Sequence, residues 1–146
     1  MKQKAIIVDL DGTLANISLR RHFVEGKNKD WKSFNSTIMT DTLNVWCREI
    51  MERMAVDHRI FIVSGRTDSL KAETIIWLEK HFIKYDFLFM RRENDNRADQ
   101  IVKKEIYLER IKPEYNILFV LDDRAKVVEM WREEGLVCLQ CDPGDF

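Results

Sequence analysis

Proline and glycine are scarce in this chain, two and five in 146 residues, and no repeat, low-complexity tract or linker interrupts it. That leaves no seam at which to divide the sequence. The length fits one domain, with a core that buries roughly 68–70% of the surface the unfolded chain would expose. Cysteine is also sparse: Cys47, Cys138 and Cys141 are odd in number and widely spaced, which argues against a disulfide framework and for a reducing compartment. No apolar run approaches the ~20 residues needed to cross a bilayer. Met1-Lys2-Gln3-Lys4 leads straight into a short apolar run that ends in acids, so neither signal peptide nor membrane anchor is expected and the protein reads as cytoplasmic. Nor does one sign of charge dominate. Twenty-four Lys and Arg balance 25 Asp and Glu, which excludes a polyelectrolyte and any global positive field, so a nucleic-acid partner would need local basic residues.

What is present is alternation. Five short apolar runs, at 5–10, 60–63, 87–90, 117–121 and 136–139, are bounded by acids, Gly or Ser and separated by amphipathic stretches. Thr40 or Asp41 is placed to cap a helix with Leu43, Trp46, Cys47, Ile50, Met51 and Met54 at the 3.6-residue period. Asp68 begins a second helix, a third runs over about 98–110, and a fourth runs from about Ala125 to a left-handed stop at Gly135. Trp46, Trp77 and Trp131 lie at core spacing on these helices. Strands alternating with helices and joined by right-handed crossovers give an α/β fold. The expected architecture is a doubly wound, Rossmann-like parallel sheet of about five strands with helices on both faces, and ligands bind beyond the carboxyl ends of its strands. The segment at about 15–40 does not fit the alternation and is read as a small insertion, a minimal cap after the first strand. A closing lid would need many tens of residues, against fewer than about 30 here.

Chemistry concentrates where the strands end. The first strand runs into Asp9-Leu10-Asp11-Gly12-Thr13, and residues two apart on an extended chain face one side, so Asp9 and Asp11 would share a pocket. Two close carboxylates compete for ionisation, so one can hold a proton and act as an acid. Gly12 permits the turn that follows. The fourth strand ends in Asp122-Asp123, and two more carboxylates beside a buried strand are costly unless a cation neutralises them. Four acidic groups read as a hard-cation site suited to Mg²⁺. The second strand ends in Ser64-Gly65-Arg66-Thr67, a hydroxyl, a flexible residue and a cation suited to phosphate oxygens. Lys103, with Asp99 one helical turn before it, is the candidate balancing cation. Each element has a plainer reading alone: a solvated turn, a helix cap at Asp123, a Ser-Gly turn, a surface ion pair.

Taken in order, DLDGT, SGR, a downstream Lys and DD after an apolar strand resemble the haloacid dehalogenase superfamily of phosphohydrolases. The second half is similar to the 3′-phosphatase domain of phage-type polynucleotide kinase-phosphatases. That likeness lies in 97–106 (RADQIVKKEI), 121–124 (LDDR), 127–132 (VVEMWR) and the terminal Gly144-Asp145-Phe146. The resemblance implies that Asp9 is the nucleophile and forms an aspartyl-phosphate. Asp11 would be the general acid and base, and Mg²⁺ would sit between Asp9, the Asp11 carbonyl and the pair Asp122 and Asp123. It further implies that Ser64 and Lys103 hold phosphate charge, that Asp99 orients Lys103, and that Thr13, Gly65, Arg66 and Arg20 or its neighbour Arg21 serve the substrate site. No GxxxxGK[ST] phosphate-binding loop occurs, so kinase activity is not expected, and a chain starting at the first strand reads as a stand-alone phosphatase.

The first expectation for substrate is a terminal 3′-phosphate of DNA or RNA. Arg20, Arg21, Lys27, Lys29, Arg91, Arg92 and Arg97 are available for phosphate contacts and Trp31 or Phe34 for stacking a base, although anchoring the insertion is the favoured reading of both aromatics and solvated surface the plainer reading of the scattered cations. The alternatives are a phosphatase of nucleoside monophosphates or other small esters, and a silent phosphate- or nucleic-acid-binding module, against which the intact set of four aspartates counts.

Overall fold

The computed structural model describes residues 1–144. The likeness at Asp145 and Phe146 lies outside the described residues. In chain order the elements are β1 (Gln3–Val8), β2 (Ala15–Asn16), α1 (Trp31–Ser36), β3 (Thr42–Leu43), α2 (Val45–Met54), β4 (Arg59–Thr67), α3 (Lys71–Lys80), β5 (Phe87–Arg91), α4 (Asp99–Ile106), β6 (Tyr115–Arg124), α5 (Ala125–Glu133) and β7 (Cys138–Gly144). The main sheet has the order β5-β4-β1-β6-β7, and every pairing is parallel. β1 lies in the middle, and the chain winds outward from it in both directions, so its carboxyl end is the topological switch point. The period of two along β1 and β4 divides the core. Ile6, Val8, Ile60 and Ile62 pack with Cys47, Met51, Trp77 and Leu78 on one face. Ala5, Ile7, Phe61 and Val63 pack with Tyr107, Val127, Val128 and Trp131 on the other. The three cysteines are free thiols. Among the described residues no helix is long and apolar enough to cross a membrane.

Several boundaries differ from the sequence expectation, each for a physical reason. The helix expected from Thr40 or Asp41 begins at Val45 after Asn44, because the Asp41 carboxylate is engaged by Arg20 instead and Leu43 pairs with Ala15 across β2 and β3. This leaves Trp46 43% exposed rather than in the core. β1 stops at Val8, and Gly12 turns the chain at φ 83°. β4 and β6 continue past their apolar runs, so Ser64-Gly65-Arg66-Thr67 and Asp122-Asp123 are themselves strand residues. The last strand starts at Cys138, after a left-handed Gly135 at φ 84°. α4 is followed by a π-helical turn over Tyr107–Ile111. The insertion closes on itself through β2 and β3 around a small core of Ile17, Val24 and Phe34.

Candidate active site

Asp9, one residue past β1, donates its backbone N–H to the Leu121 carbonyl and so stays fixed to the neighbouring strand. Its Oδ1 accepts from the Lys103 ammonium at 2.8 Å, and the same ammonium donates to Asp122 Oδ2 at 3.1 Å. All three side chains are buried. Burial, then the adjacent Asp122, push the Asp9 carboxyl well above its ordinary value, and Lys103 opposes them. Burial alone would lower Lys103, but Asp122, Asp9 and Asp99 outweigh it and keep the amine protonated. The carboxylates that compete with Asp9 are thus Asp122 and Asp123, not Asp11 as the two-residue spacing suggested.

Asp9, Asp122 and Asp123 each offer an oxygen, and the three atoms lie within 4.8 Å of one another. Asp122 already accepts from Lys103 and from the Trp131 indole N–H through Oδ2, and from the Asp123 backbone N–H through Oδ1. Asp123 Oδ2, by contrast, is buried without any donor. Burial and the adjacent Asp122 push the Asp123 carboxyl up to about 6. A buried carboxylate oxygen lacking a donor is satisfied by a hard cation, so this donor set fits a divalent metal. Gly12 is required by space as well as by φ, since a Cβ there would collide with Asp123 Oδ2. The Asp11 side chain does not belong to the carboxylate cluster. The Thr13 hydroxyl lies 3.4 Å from Asp9 Oδ2, placing it against the Asp9 carboxylate rather than in the open cleft.

Asp11 faces two arginines. Arg66 approaches it through Nε and Nη2, at 3.1 and 2.6 Å, and Arg20 Nη2 donates to Oδ1 at 2.7 Å. Burial would raise this carboxyl, but Arg66 and then Arg20 outweigh it and hold it down at about 2. Arg20 in turn donates through Nε and Nη2 to the two oxygens of the buried Asp41, at 2.7 and 2.6 Å, and through Nη1 to the Phe34 carbonyl, and its guanidinium lies 4.2 Å from the Phe34 ring centroid. Arg21 instead reaches the Pro143 carbonyl near the surface, so of the two neighbours Arg20 is the one at the site.

The third wall is set by Asp99. Its carboxylate pairs with Arg91 and, at 2.8 Å, with Arg124 Nη1. Lys103 is held by Asp9 and Asp122, so the helical spacing to Asp99 supplies charge nearby but no hydrogen bond. Gly65 is the point of close approach, where a Cβ would collide with the Asp99 carboxylate. Ser64 is buried, and its hydroxyl accepts the Arg66 backbone N–H at 3.1 Å. A cleft of about 390 Å³ opens above these groups, with Asp9, Asp11, Lys103 and Asp123 among its lining residues, together with Gly65, Arg66 and Asp99.

The model of the family described as the polynucleotide kinase PNKP phosphatase domain matches residues 3–146. The chain belongs to this family. It is 32% identical over 133 residues to the "Putative bifunctional polynucleotide kinase/RNA ligase" of Autographa californica nuclear polyhedrosis virus, covering 89% of this chain and 18% of that protein. Two solved structures of the Pnkp1/Rnl/Hen1 complex, one described as an RNA repair complex, contain a chain that is 38% identical with a TM-score of 0.87. In both, 99% of this chain is covered, against 44% and 48% of the other. This PNKP phosphatase domain therefore spans under half of those relatives. A hydrolase from Streptococcus pneumoniae TIGR4 shares the fold at a TM-score of 0.62 and 18% identity, over 95% and 92% of the two chains.

In this PNKP phosphatase domain the sequence motifs meet at one sheet end, but two of its buried polar contacts carry no motif. Asp41 reads as a helix cap and Thr74, whose hydroxyl accepts from Arg66 Nη1 at 3.1 Å, as an ordinary helical residue; Trp131 stands in the similar stretch 127–132 but reads there as packing, not as a donor to Asp122. Of the basic residues offered for phosphate contact, Arg91 and Arg97 line the cleft, though Arg91 is held by the Gly65 carbonyl and Asp99, and Arg97 by Asp95 and Glu105. Lys27, Lys29 and Arg92 are exposed and do not line it.

Proposed function

We propose that this domain is a Mg²⁺-dependent phosphomonoesterase that removes terminal 3′-phosphates from DNA or RNA strands through a phosphorylated Asp9. The observation that carries this reading is the pair of opposed environments at the cleft floor. Asp9 lies against a protonated Lys103, and Asp11 beside it is clamped by two guanidiniums. Asp9 Oδ attacks phosphorus and the bond to the 3′ oxygen breaks. The leaving oxygen takes a proton from Asp11. Water then attacks the phosphoryl group, Asp11 takes the proton back, and the Asp9 carboxylate is restored.

Asp11 must gain a proton before the first step, although Arg66 and Arg20 hold it as a carboxylate. An arriving phosphate dianion competes for Arg66, the one of the two guanidiniums that lines the cleft, loosens its hold and raises the proton affinity of Asp11. Lys103 offsets the phosphate charge. Asp9, Asp123 and the Asp11 carbonyl would hold the metal, with Asp122 orienting Lys103 and the Asp123 backbone. The metal would supply charge neutralisation where four carboxylates otherwise repel the substrate.

Strand ends as substrate draw support from the family and from relatives named for polynucleotide kinase, RNA ligase and RNA repair. The test is phosphate release with and without divalent metal on 3′- and 5′-phosphorylated strands and on mononucleotides. The 3′-phosphorylated strand is expected to be preferred, and Asp9→Asn to abolish release. Equal efficiency on mononucleotides would move the assignment to small esters, and no release from any of them to a silent binding module.

A further inference from the structure

We propose that Trp31 is a stacking platform for the nucleobase of the terminal nucleotide, so that the insertion selects nucleotide ends over other phosphate monoesters. The proposal rests on the phosphatase reading above and adds to it a recognition site for the base. Two aromatic residues of the insertion lie near the cleft, and the structure gives them different tasks. Phe34 is buried with Ile17 and Val24 and carries the Arg20 guanidinium on its ring; it anchors the insertion. Trp31, one helical turn earlier, meets Phe34 edge-on with ring centroids 5.5 Å apart and keeps 40% of its surface exposed.

That exposed indole lines the same cleft as Asp9 and Lys103. At about 390 Å³ the cleft lies within the range of roughly 300–1,000 Å³ typical of small-molecule sites, so it has room for more than a phosphate group. The Arg124 guanidinium sits over the Trp31 ring, 5.7 Å from its centroid, and is tied at the same time to Asp99. The aromatic wall is therefore connected to the catalytic wall through one charged side chain. Flat, π-rich and next to a cation, it suits the face of a purine or pyrimidine, and every base presents such a face. A sugar phosphate without a base offers nothing equivalent.

The experiment compares kcat/KM on two strands that differ only at the 3′-terminal phosphorylated nucleotide, one base-bearing and one abasic. Tryptophan fluorescence is then titrated with adenosine 3′-monophosphate and with inorganic phosphate. Wild type is expected to prefer the base-bearing end. Trp31→Ala should shrink that preference about ten-fold, chiefly through KM, as loss of one base–aromatic stack implies, and Trp31→Phe should restore most of it. The nucleotide, not phosphate, should quench wild-type emission, and Trp31→Phe should lose that quenching. Equal preference in wild type and Trp31→Ala, or quenching that persists in Trp31→Phe, overturns the proposal. Quenching that depends on Trp31 without turnover of any 3′-phosphorylated strand would overturn the phosphatase reading and leave the base site standing.

Discussion

Lys103 Nζ stands 2.8 Å from Asp9 Oδ1 although the two residues are 94 positions apart in the chain. The ammonium and the carboxylate are both buried, and Asp122 completes a three-membered charge cluster. Removing the cation leaves two carboxylates facing each other in a dry site. Lys103→Met is expected to lower stability by about 3–5 kcal/mol at neutral pH, as for other broken buried pairs. It should cost phosphate release about a hundred-fold or more. The stability loss should shrink on acidification, because Asp9 can then take a proton instead. Urea denaturation across pH measures this, and a pH-independent loss would contradict it.

Asp41 predicts a defect at a distance. It stands outside the cluster of Asp9, Asp122 and Asp123, yet it grips Arg20 and lies 3.5 Å from Arg66 Nη2. Asp41→Asn removes the charge while keeping the shape. The expected cost is about 3 kcal/mol of stability, from a buried guanidinium that keeps Asp11 but loses its two-point carboxylate partner, together with a fall in kcat. The pH profile should also change, because Asp11 would then carry more of the arginine charge and titrate lower still. A folded variant with unaltered kcat and pH profile would show that the clamp on Arg20 has no part in turnover.

Gly65 is closed to any side chain by the Asp99 carboxylate. Gly65→Ala should destabilise by about 1–3 kcal/mol through overpacking and disturb the pairing of Asp99 with Arg91 and Arg124. Asp99→Ala opens the space. The double variant should therefore lose less stability than the two single losses added together, which a double-mutant cycle reads as coupling. Additive losses would mean that the close approach is not where the strain arises.

A metal bound at the carboxylate cluster would compete with the proton for Asp123. Its carboxyl, at about 6 in the folded chain against 3.8 ordinarily, binds protons more tightly folded than unfolded. Metal-free protein should therefore lose up to about 3 kcal/mol as pH rises from about 4 to 6. A divalent cation should abolish that loss, with affinity tightening over the same interval. Asp11 works in the opposite sense: at about 2 it contributes about 2 kcal/mol above pH 4, which is lost as pH falls through about 2. Urea midpoints with chelator and with Mg²⁺, for wild type and Asp123→Asn, separate the two.

Much of this site was legible because short apolar runs break at acids: Asp9, Asp11, Asp122 and Asp123 stand where strands leave the core, and the alternation of apolar runs with amphipathic stretches implied the parallel sheet. Side-chain partnership was harder to read. The spacing of Asp99 and Lys103 favours an ion pair, but Arg91 and Arg124 arrive from two other elements and take the carboxylate. Arg20 and Arg21 are indistinguishable as neighbours in sequence; only burial beside Asp41 separates them. An aspartate before a helix is the ordinary signature of a cap, and no local pattern marks Asp41 as an arginine partner instead.

The short pairing of Ala15 with Leu43 and Asn16 with Thr42 bears on how such domains can be recombined. It ties the neck of the insertion, and beyond the neck the outgoing limb delivers Arg20 while the returning limb delivers Asp41. A graft taken from another enzyme should bring both charges or neither, since a chimaera inheriting one of them would bury an ion stripped of its nearest partner. The cap is thus a matched cartridge rather than an interchangeable lid.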